Sequence, residues 1–453
     1  MIGWLSNAFL PLWAQNPIVP NQGLNDPHIH IFNDTAYVYA SHDKSVENTS
    51  FVMEEWWVWS SPDLVNWTQR SVLKPEDTYI GNDFAGCWAT DVGRKGGKYY
   101  WYFSERNQQA GVVVGNSPTG PWIDPLGKPL LDSSLTTTHE YDIAIYEEAG
   151  EHYIIFGVWD YYIARLGDDM ISLAEEPHKI TIKKPRGPYN QDGDNLEHPT
   201  DDKPFLHRYN GKYYLSWGCF YAMSDELYGP YDYAGSVIHA ESFAPGYDSP
   251  TWPNGFLQGR HGSFFEWNNQ CYYAYCDISQ SGNRYFRDTF ISYIHYHADG
   301  TMAPIRVDGV GVGRYEADQG RIEAEDYFRT DRFIKVETDS GFAVQLATPQ
   351  GALFYPAIEG LDGFTYINLH LILPEPGNAS KDTAGLGTTV LEIRRDTPTS
   401  ELVAAGQITT EAAGEHTLKL KLAPLANQET LVIYTKTDSS SSFAIDAFSF
   451  TNH

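Results

Sequence analysis

Four aspartates and one histidine draw attention by type and by place: Asp26, Asp91, Asp142, Asp202 and His261. Each stands at the start of a short apolar or aromatic segment of strand character. Asn25-Asp26-Pro27 is the clearest case. The proline fixes its own φ and holds the preceding residue extended, and apolar-polar alternation follows at once through Ile29, Ile31, Tyr37 and Tyr39. One carboxylate in such a turn is an Asx-turn and nothing more. Several at one place do chemistry. Like charges crowded in a cleft raise one another's pKa, so one carboxyl stays protonated beside another that is ionised. Hydrolysis of a glycosidic bond uses that combination.

The elements that would bring these residues together are repeated. An aromatic strand after a turn occurs at 35–41, 97–104, 151–157, 211–218 and 270–276, a period of about 60 residues. Just before each lies a second strand: His28 to Phe32, Ala89 to Arg94, Asp142 to Glu147, Pro204 to Arg208 and His261 to Glu266. A third echo follows three of them, at Ser61-Pro62-Asp63, Ser117-Pro118-Thr119 and Ser224-Asp225-Glu226. Helical periodicity is nearly absent. Five copies of a small multi-stranded unit predict an all-β chain built on a five-bladed β-propeller rather than one large sandwich. The innermost strand of each blade lines the channel, so the five named residues would converge at one mouth. The repeat ends near Val312. Beyond it come Thr-, Ala- and Leu-rich strands without Trp, which predict a jelly-roll-like β-sandwich. The expected domains are 1–315 and 316–453.

Composition narrows the partners. The formal net charge of −28 argues against nucleic acid and anionic membranes. Tyr and Trp are abundant, and their flat amphipathic faces suit sheets and stacking on sugar rings. Four cysteines show neither a CxxC pair nor zinc spacing, and Cys271 and Cys276 read as buried thiols in one strand. No run of about 20 apolar residues is present. The start, Met1 to Pro17, lacks a basic region and a clear cleavage site. It reads as a segment that packs, which favours a cytoplasmic location over a periplasmic or secreted one.

Several pieces, taken in order, resemble glycoside hydrolase family 43 over roughly Asn16 to Val312. They are Asn25-Asp26-Pro27, Trp56 to Leu64, Cys87 to Asp91, Tyr141 to Ile145, Phe205 to Trp217, Gly259 to Ser263, and Arg287 leading to Ala298-Asp299-Gly300-Thr301. The resemblance implies a five-bladed propeller and an inverting glycosidase. It implies a general base at Asp26 and a carboxyl at Asp142 that tunes and orients the acid. The family's acid is a Glu eight residues before an Asn-Gly turn; counting back from Asn210-Gly211 lands on Asp202, one methylene shorter, with Glu197 as the alternative. His261 matches a histidine on the propeller axis that contacts, directly or through water, a calcium or other ion. Arg287 matches an arginine in the sugar site, with a structural pair to Asp288 or Asp277 as its other reading. Trp57, Trp88, Asp91 and Asp43, with its neighbour His42, are the further sugar-contact candidates. The implied substrate is an oligo- or polysaccharide of plant or algal origin, carrying β-xylosyl or α-L-arabinofuranosyl units first and galactosyl units after. No organic cofactor is implied.

Ile322 to Tyr327 and Phe443 to Phe450 resemble a family 6 carbohydrate-binding module. That resemblance implies structural calcium held by Glu323, Glu325 and Asp446, whose oxygens suit a hard cation. Such modules stack sugars on a Trp, and this unit has none. Two other functions compete. A retaining family 32 fructosidase also opens with Asn-Asp-Pro, but Arg287-Asp288-Thr289 lacks the expected proline and no Glu-Cys pair occurs. A non-catalytic sugar-binding propeller that has lost its acid rests on Asp202 standing where a Glu is expected.

Overall fold

The structure is a computed structural model that describes residues 15–185, 199–247, 261–339, 341–373, 389–408, 413–437 and 443–453. Its first part is a five-bladed β-propeller. From the axis outward, blade one runs Leu24–Ile31, Ala36–His42, Trp56–Ser61 and Thr68–Leu73. Blade two is Cys87–Lys95, Lys98–Glu105 and Gln109–Gly115, and blade three is Ala144–Glu148, Glu151–Phe156, Tyr162–Arg165 and His178–Lys179. Blade four is Pro204–Tyr209, Lys212–Trp217, Phe220–Ser224 and Tyr231–Ser236, with Ile182–Lys183 added parallel to its outer strand. Blade five is Gly262–Trp267, Gln270–Asp277 and Asp288–Tyr293. Each inner strand packs on the next, and the first packs on the last, so the ring closes.

The aromatic residues that mark the repeat fill the wedges between blades. Tyr39 meets Trp101 edge-on at 5.4 Å between ring centres, and Trp56 meets Phe103 at 4.7 Å. Both pairs join blade one to blade two. Such rings bury large areas and gain from offset or edge-to-face contact, which is why short strands suffice to hold a blade. The chain start joins the last blade. Ile18 donates to Thr289 O at 2.9 Å, and the Asn16 amide brackets the backbone of Ile291 at 3.0 and 2.9 Å. The packing expected for the N-terminal segment is thus seen from Gln15 onward, while residues 1–14 lie outside the described residues.

The second part is a β-sandwich of two six-stranded sheets. The strand Tyr366–Leu373 alternates, with Ile367, Leu369, Leu371 and Leu373 turned into the core. Three strands are not legible as such in the sequence. Phe333–Thr338 carries charges at alternate places. Gln350–Glu359 carries Pro356 at a bulge, with Ala357 at φ 51°. Leu402–Ile408 is rich in Ala and Gly, which have little strand preference of their own; it forms because Thr389–Arg395 offers an edge to pair with.

The seam between the two parts is polar and ordered. The buried Gln270 of blade five donates to Glu325 O and Tyr327 O, both at 2.8 Å. The Lys335 ammonium reaches Gln270 and lies 2.8 Å from His295 Nδ1.

Candidate active site

Three equivalent backbone positions build the site. Asp26, Asp142 and Lys203 each sit in the left-handed region, at φ 49°, 53° and 63°, two residues before a channel-lining residue of their blade. This turn re-aims the chain, and short polar side chains tolerate it better than others do. Asp202, expected at this place, lies one residue earlier. The slip leaves its side chain 30% exposed at the mouth, whereas Asp26 and Asp142 are buried.

Asp26 is gripped from three sides. Arg287 Nη1 donates to its Oδ1 at 2.7 Å, Ser41 Oγ donates to its Oδ2 at 2.8 Å, and its own amide reaches Cys276 Sγ at 3.1 Å. Arg287 is buried and fully engaged. Its Nε and Nη2 hold Asp43 at 2.9 and 3.0 Å, and Nη2 also donates to Asn25 Oδ1 at 2.9 Å. Arg287 therefore lines the cavity as a brace for Asp26. Its partners are Asp43 and Asp26, not Asp288 or Asp277; Asp288 instead accepts from the amide of Gly23 at 3.0 Å. Gly23, at φ 66°, lets that turn close, since a Cβ there would stand 2.3 Å from Asp43 O. Asp43 is fully buried and does not line the cavity, so it orients Arg287 rather than touching sugar. Burial pushes its carboxyl up to about 6 against the pull of Arg287.

Asp142 accepts from the Lys203 amide at 3.0 Å, and its own amide donates to Ser104 Oγ, also at 3.0 Å. Burial, then the charges of Asp202 and Asp26, push its carboxyl well above the ordinary range. The Lys203 ammonium is buried and shared between Asp201, at 2.8 Å, and Asp202. One short segment thus carries the half-buried Asp202 carboxylate and its counter-ion, and Asp142 holds that segment by the backbone.

His261 and Asp91 belong to the axis. His261 Nε2 faces His28 Nε2 at 2.9 Å, and its Nδ1 stands 3.9 Å from Asp26 and 4.0 Å from Asp142. Asp91 is not at the place of Asp26: it pairs with Tyr102 as His28 pairs with Tyr39, so it stands in the register of His28, further along its strand. It is fully buried, within 3.1 Å of His28 Nδ1 and 2.5 Å of His30 Nε2, and it accepts from the Ile145 amide at 2.6 Å. Burial alone would raise its carboxyl, but the two imidazoles outweigh that and bring it well below the usual value. Asp91 ties three strands together out of reach of a sugar.

The cavity over these groups has a volume of about 210 Å³. Asp26, Asp142, Asp202, Lys203, His261 and Arg287 form its polar floor, and Phe51, Met53, Trp88, Tyr141 and Asn107 form its wall. Trp88 stands between Phe51 and Tyr141, at 6.2 and 5.8 Å, with a buried indole N–H that no group among the described residues accepts. Trp57 lies elsewhere, stacked on His42 at 3.6 Å and bonded to Glu55, so its expected contact with sugar is not available. Glu197 lies outside the described residues. Sequence reasoning did not assign Phe51, Met53, Asn107, Tyr141, Ser41 or Ser104. The serines were visible, each closing an aromatic strand of the repeat. The wall residues sit on loops that carry no periodic signal.

Glycosyl hydrolases family 43 matches residues 14–302 of the chain. The chain belongs to that family. Family 43 enzymes hydrolyse glycosides with inversion, and the propeller with its carboxyl-floored cavity is the catalytic domain of such an enzyme. A Bacteroides ovatus protein named xylosidase/arabinosidase is 28% identical over 64% of this chain and 96% of its own length. A family 43 β-xylosidase/α-arabinofuranosidase from a compost microbial metagenome, solved with xylotriose in a calcium-free form, is 26% identical, with a TM-score of 0.51 over 64% of this chain and 96% of that one. Both parts of the chain are matched by the fold of a Bacillus subtilis arabinoxylan arabinofuranohydrolase solved with cellotetraose. It is 20% identical, with a TM-score of 0.54 over 97% of this chain and 98% of that one.

The calcium expected at His261, or at Glu323, Glu325 and Asp446, does not fit the residues present. His261 turns one nitrogen to His28, and a hard cation asks for oxygens. In the sandwich, the Arg321 guanidinium takes both oxygens of Glu323, at 2.8 and 3.0 Å, and Asp446 Oδ2 at 2.7 Å. Glu325 is buried, and burial followed by the charge of Asp326 pushes its carboxyl up to about 9, so it is neutral at pH 7. An arginine joins the first and last strands of the sandwich where a cation was expected. Among the described residues no cluster of three or more His, Cys, Asp or Glu could hold a metal ion.

Proposed function

We propose that this family 43 enzyme removes terminal or side-chain β-xylosyl or α-L-arabinofuranosyl units from a plant or algal polysaccharide. The observation that carries this reading is the meeting of Asp26, Asp142 and Asp202 in one small aromatic-walled cavity. A space of about 210 Å³ suits one sugar ring and not a chain passing through, which favours exo or debranching action. The choice of sugar is supported by the names of the relatives.

In the proposed mechanism Asp26 takes a proton from a water molecule as that water attacks the anomeric carbon. Arg287 and Ser41 hold the carboxylate in one orientation for this. Asp202, at the open side, gives a proton to the departing glycosidic oxygen. Asp142 holds the Asp202–Lys203 backbone in register through the Lys203 amide. One displacement leaves the product inverted. Trp88 and Tyr141 would pack against the ring.

A panel of aryl glycosides tests the reading. Turnover of the β-xyloside or the α-L-arabinofuranoside is expected, with the inverted anomer seen first by NMR. Asp26→Asn should lower kcat by about 10²- to 10⁴-fold. No turnover of any glycoside, with sugar binding intact, would sink the hydrolase assignment and favour a binding propeller instead.

The same proposal divides the chain into a glycosidase at 1–315 and a module resembling family 6 at 316–453. The module has no Trp and is bonded to blade five through Gln270 and Lys335. Both facts support a role in bracing the propeller.

A further inference from the structure

Two loops meet where blade one closes on blade five. Residues 43–55 join the second and third strands of blade one, and residues 278–287 join the equivalent strands of blade five. Their feet are fastened by Arg287 and Asp43, since the Arg287 amide, as well as its guanidinium, donates to Asp43 Oδ2, at 2.8 and 2.9 Å. Their tips are fastened separately. Asn283 Nδ2 donates to Val46 O at 2.8 Å and to Asn48 O at 2.9 Å, while Asn283 Oδ1 accepts from the Tyr285 amide at 2.9 Å. In return Asn48 Nδ2 donates to Tyr285 O at 3.1 Å. Each asparagine holds the backbone of the other loop.

Phe51 lies between the two fastenings. Its ring meets Tyr285 edge-on at 4.9 Å and Trp88 edge-on at 6.2 Å, and the Arg287 guanidinium stands over it at 5.0 Å. Phe51 walls the catalytic cavity. Blade one carries it, yet Tyr285 and Arg287, which fix its ring, belong to blade five. A connection as long as 43–55 samples many arrangements unless it is tied.

We propose that Asn283 is a positioning residue for the sugar-binding wall: it clasps the 43–55 loop at its tip and so holds Phe51 in place beside the ring of the bound sugar. The chemistry of the clasp is specific. Two carbonyls face one side-chain nitrogen, so an amide fits there and a carboxylate would be repelled. The brace of Asp26 does not pass through the clasp, because Asp43 locks Arg287 on its own. Loosening the tips therefore moves Phe51 and leaves the base where it is, and the effect falls on binding rather than on chemistry. This assignment rests on the saccharide reading above.

The test combines turnover of an aryl glycoside with calorimetric titration of free xylose and arabinose, on full-length Asn283→Asp, Asn283→Ala, Phe51→Ala and the double variant Phe51→Ala/Asn283→Ala beside the parent. Asn283→Asp keeps the volume and the acceptor for Tyr285 and loses only the donors. Both Asn283 variants should raise KM and the sugar Kd about three- to tenfold, with kcat within about twofold of the parent. Phe51→Ala should raise them at least as far, and adding Asn283→Ala to it should change nothing more, because the clasp acts through Phe51. Additive losses in the double variant overturn the proposal, as do unchanged KM and Kd in both Asn283 variants. A fall in kcat as large as the rise in KM also overturns it, because that marks disturbance of Arg287. The expected pattern in Kd without turnover of any glycoside would uphold the clasp and remove the hydrolase reading alone. Neither sugar binding nor turnover in the parent overturns both.

Discussion

At the scale of single residues the site works by putting different surroundings on similar groups. Asp26, Asp142 and Asp202 are all aspartates. Asp26 is braced by a guanidinium and a hydroxyl, Asp142 is buried against like charges, and Asp202 is half open beside an ammonium. Asp142 carries a pH signature. Its folded value is raised above the ordinary 3.8, so the folded chain keeps a proton that the unfolded chain has given up. That contribution to stability is complete below the ordinary value and is lost as pH rises through the folded one. Asp142→Asn mimics the protonated form and should flatten the fall in Tm over that range. Scanning calorimetry between acid and neutral pH checks it; parallel Tm curves for parent and variant would refute the assignment.

At the scale of elements, the segment Thr200 to Pro204 decides the site. It holds the left-handed turn at Lys203, the buried pair of Lys203 with Asp201, and the half-buried Asp202. Removing one partner of a buried ion pair strands the other charge and costs about 3–5 kcal/mol. Lys203→Met should therefore lower the unfolding free energy by about that amount, and Asp201→Asn added to it should restore much of the loss. Denaturant titration of the two variants measures both. No recovery in the double variant would mean that Lys203 acts through Asp202 and the cavity instead. This segment also shows why reading by repeat was one residue out. The turn, not the carboxylate, is what recurs, and Lys203 occupies the turn. A lysine at a left-handed position carries no local signal, and the one-residue slip becomes visible only when the backbone is seen.

For the molecule as a whole, the seam between propeller and sandwich is built on buried polar groups, and Gln270 is its centre. The side chain satisfies two carbonyls of the sandwich and receives Lys335. Gln270→Ala strands these groups at about 1–3 kcal/mol each. Calorimetry should show a lower Tm, with the sandwich unfolding apart from the propeller, while aryl glycoside turnover below the transition stays as in the parent. A single unshifted transition would show that the seam does not couple the two parts.

The sequence by itself named the architecture and all three carboxyls of the cavity, with Asp202 one residue out of register. Aromatic strands at a steady period can bury their rings only against a neighbour of the same kind, and five of them close a ring. Carboxylates that precede inner strands must then meet at its mouth, so Asp26 and Asp142 could be named from pattern. Tertiary structure decided the rest. Arg287 lies 261 residues from Asp26 and 244 from Asp43, and nothing local joins them. Asp91 had the right type and nearly the right place, but it stands in the register of His28 rather than that of Asp26. Arg321 closes the carboxylates of the sandwich where an ion was expected, because a guanidinium on a flexible stem can reach two strands at once. Burial, register and long-range pairing set what each carboxyl does, and these are properties of the packed chain rather than of any stretch within it.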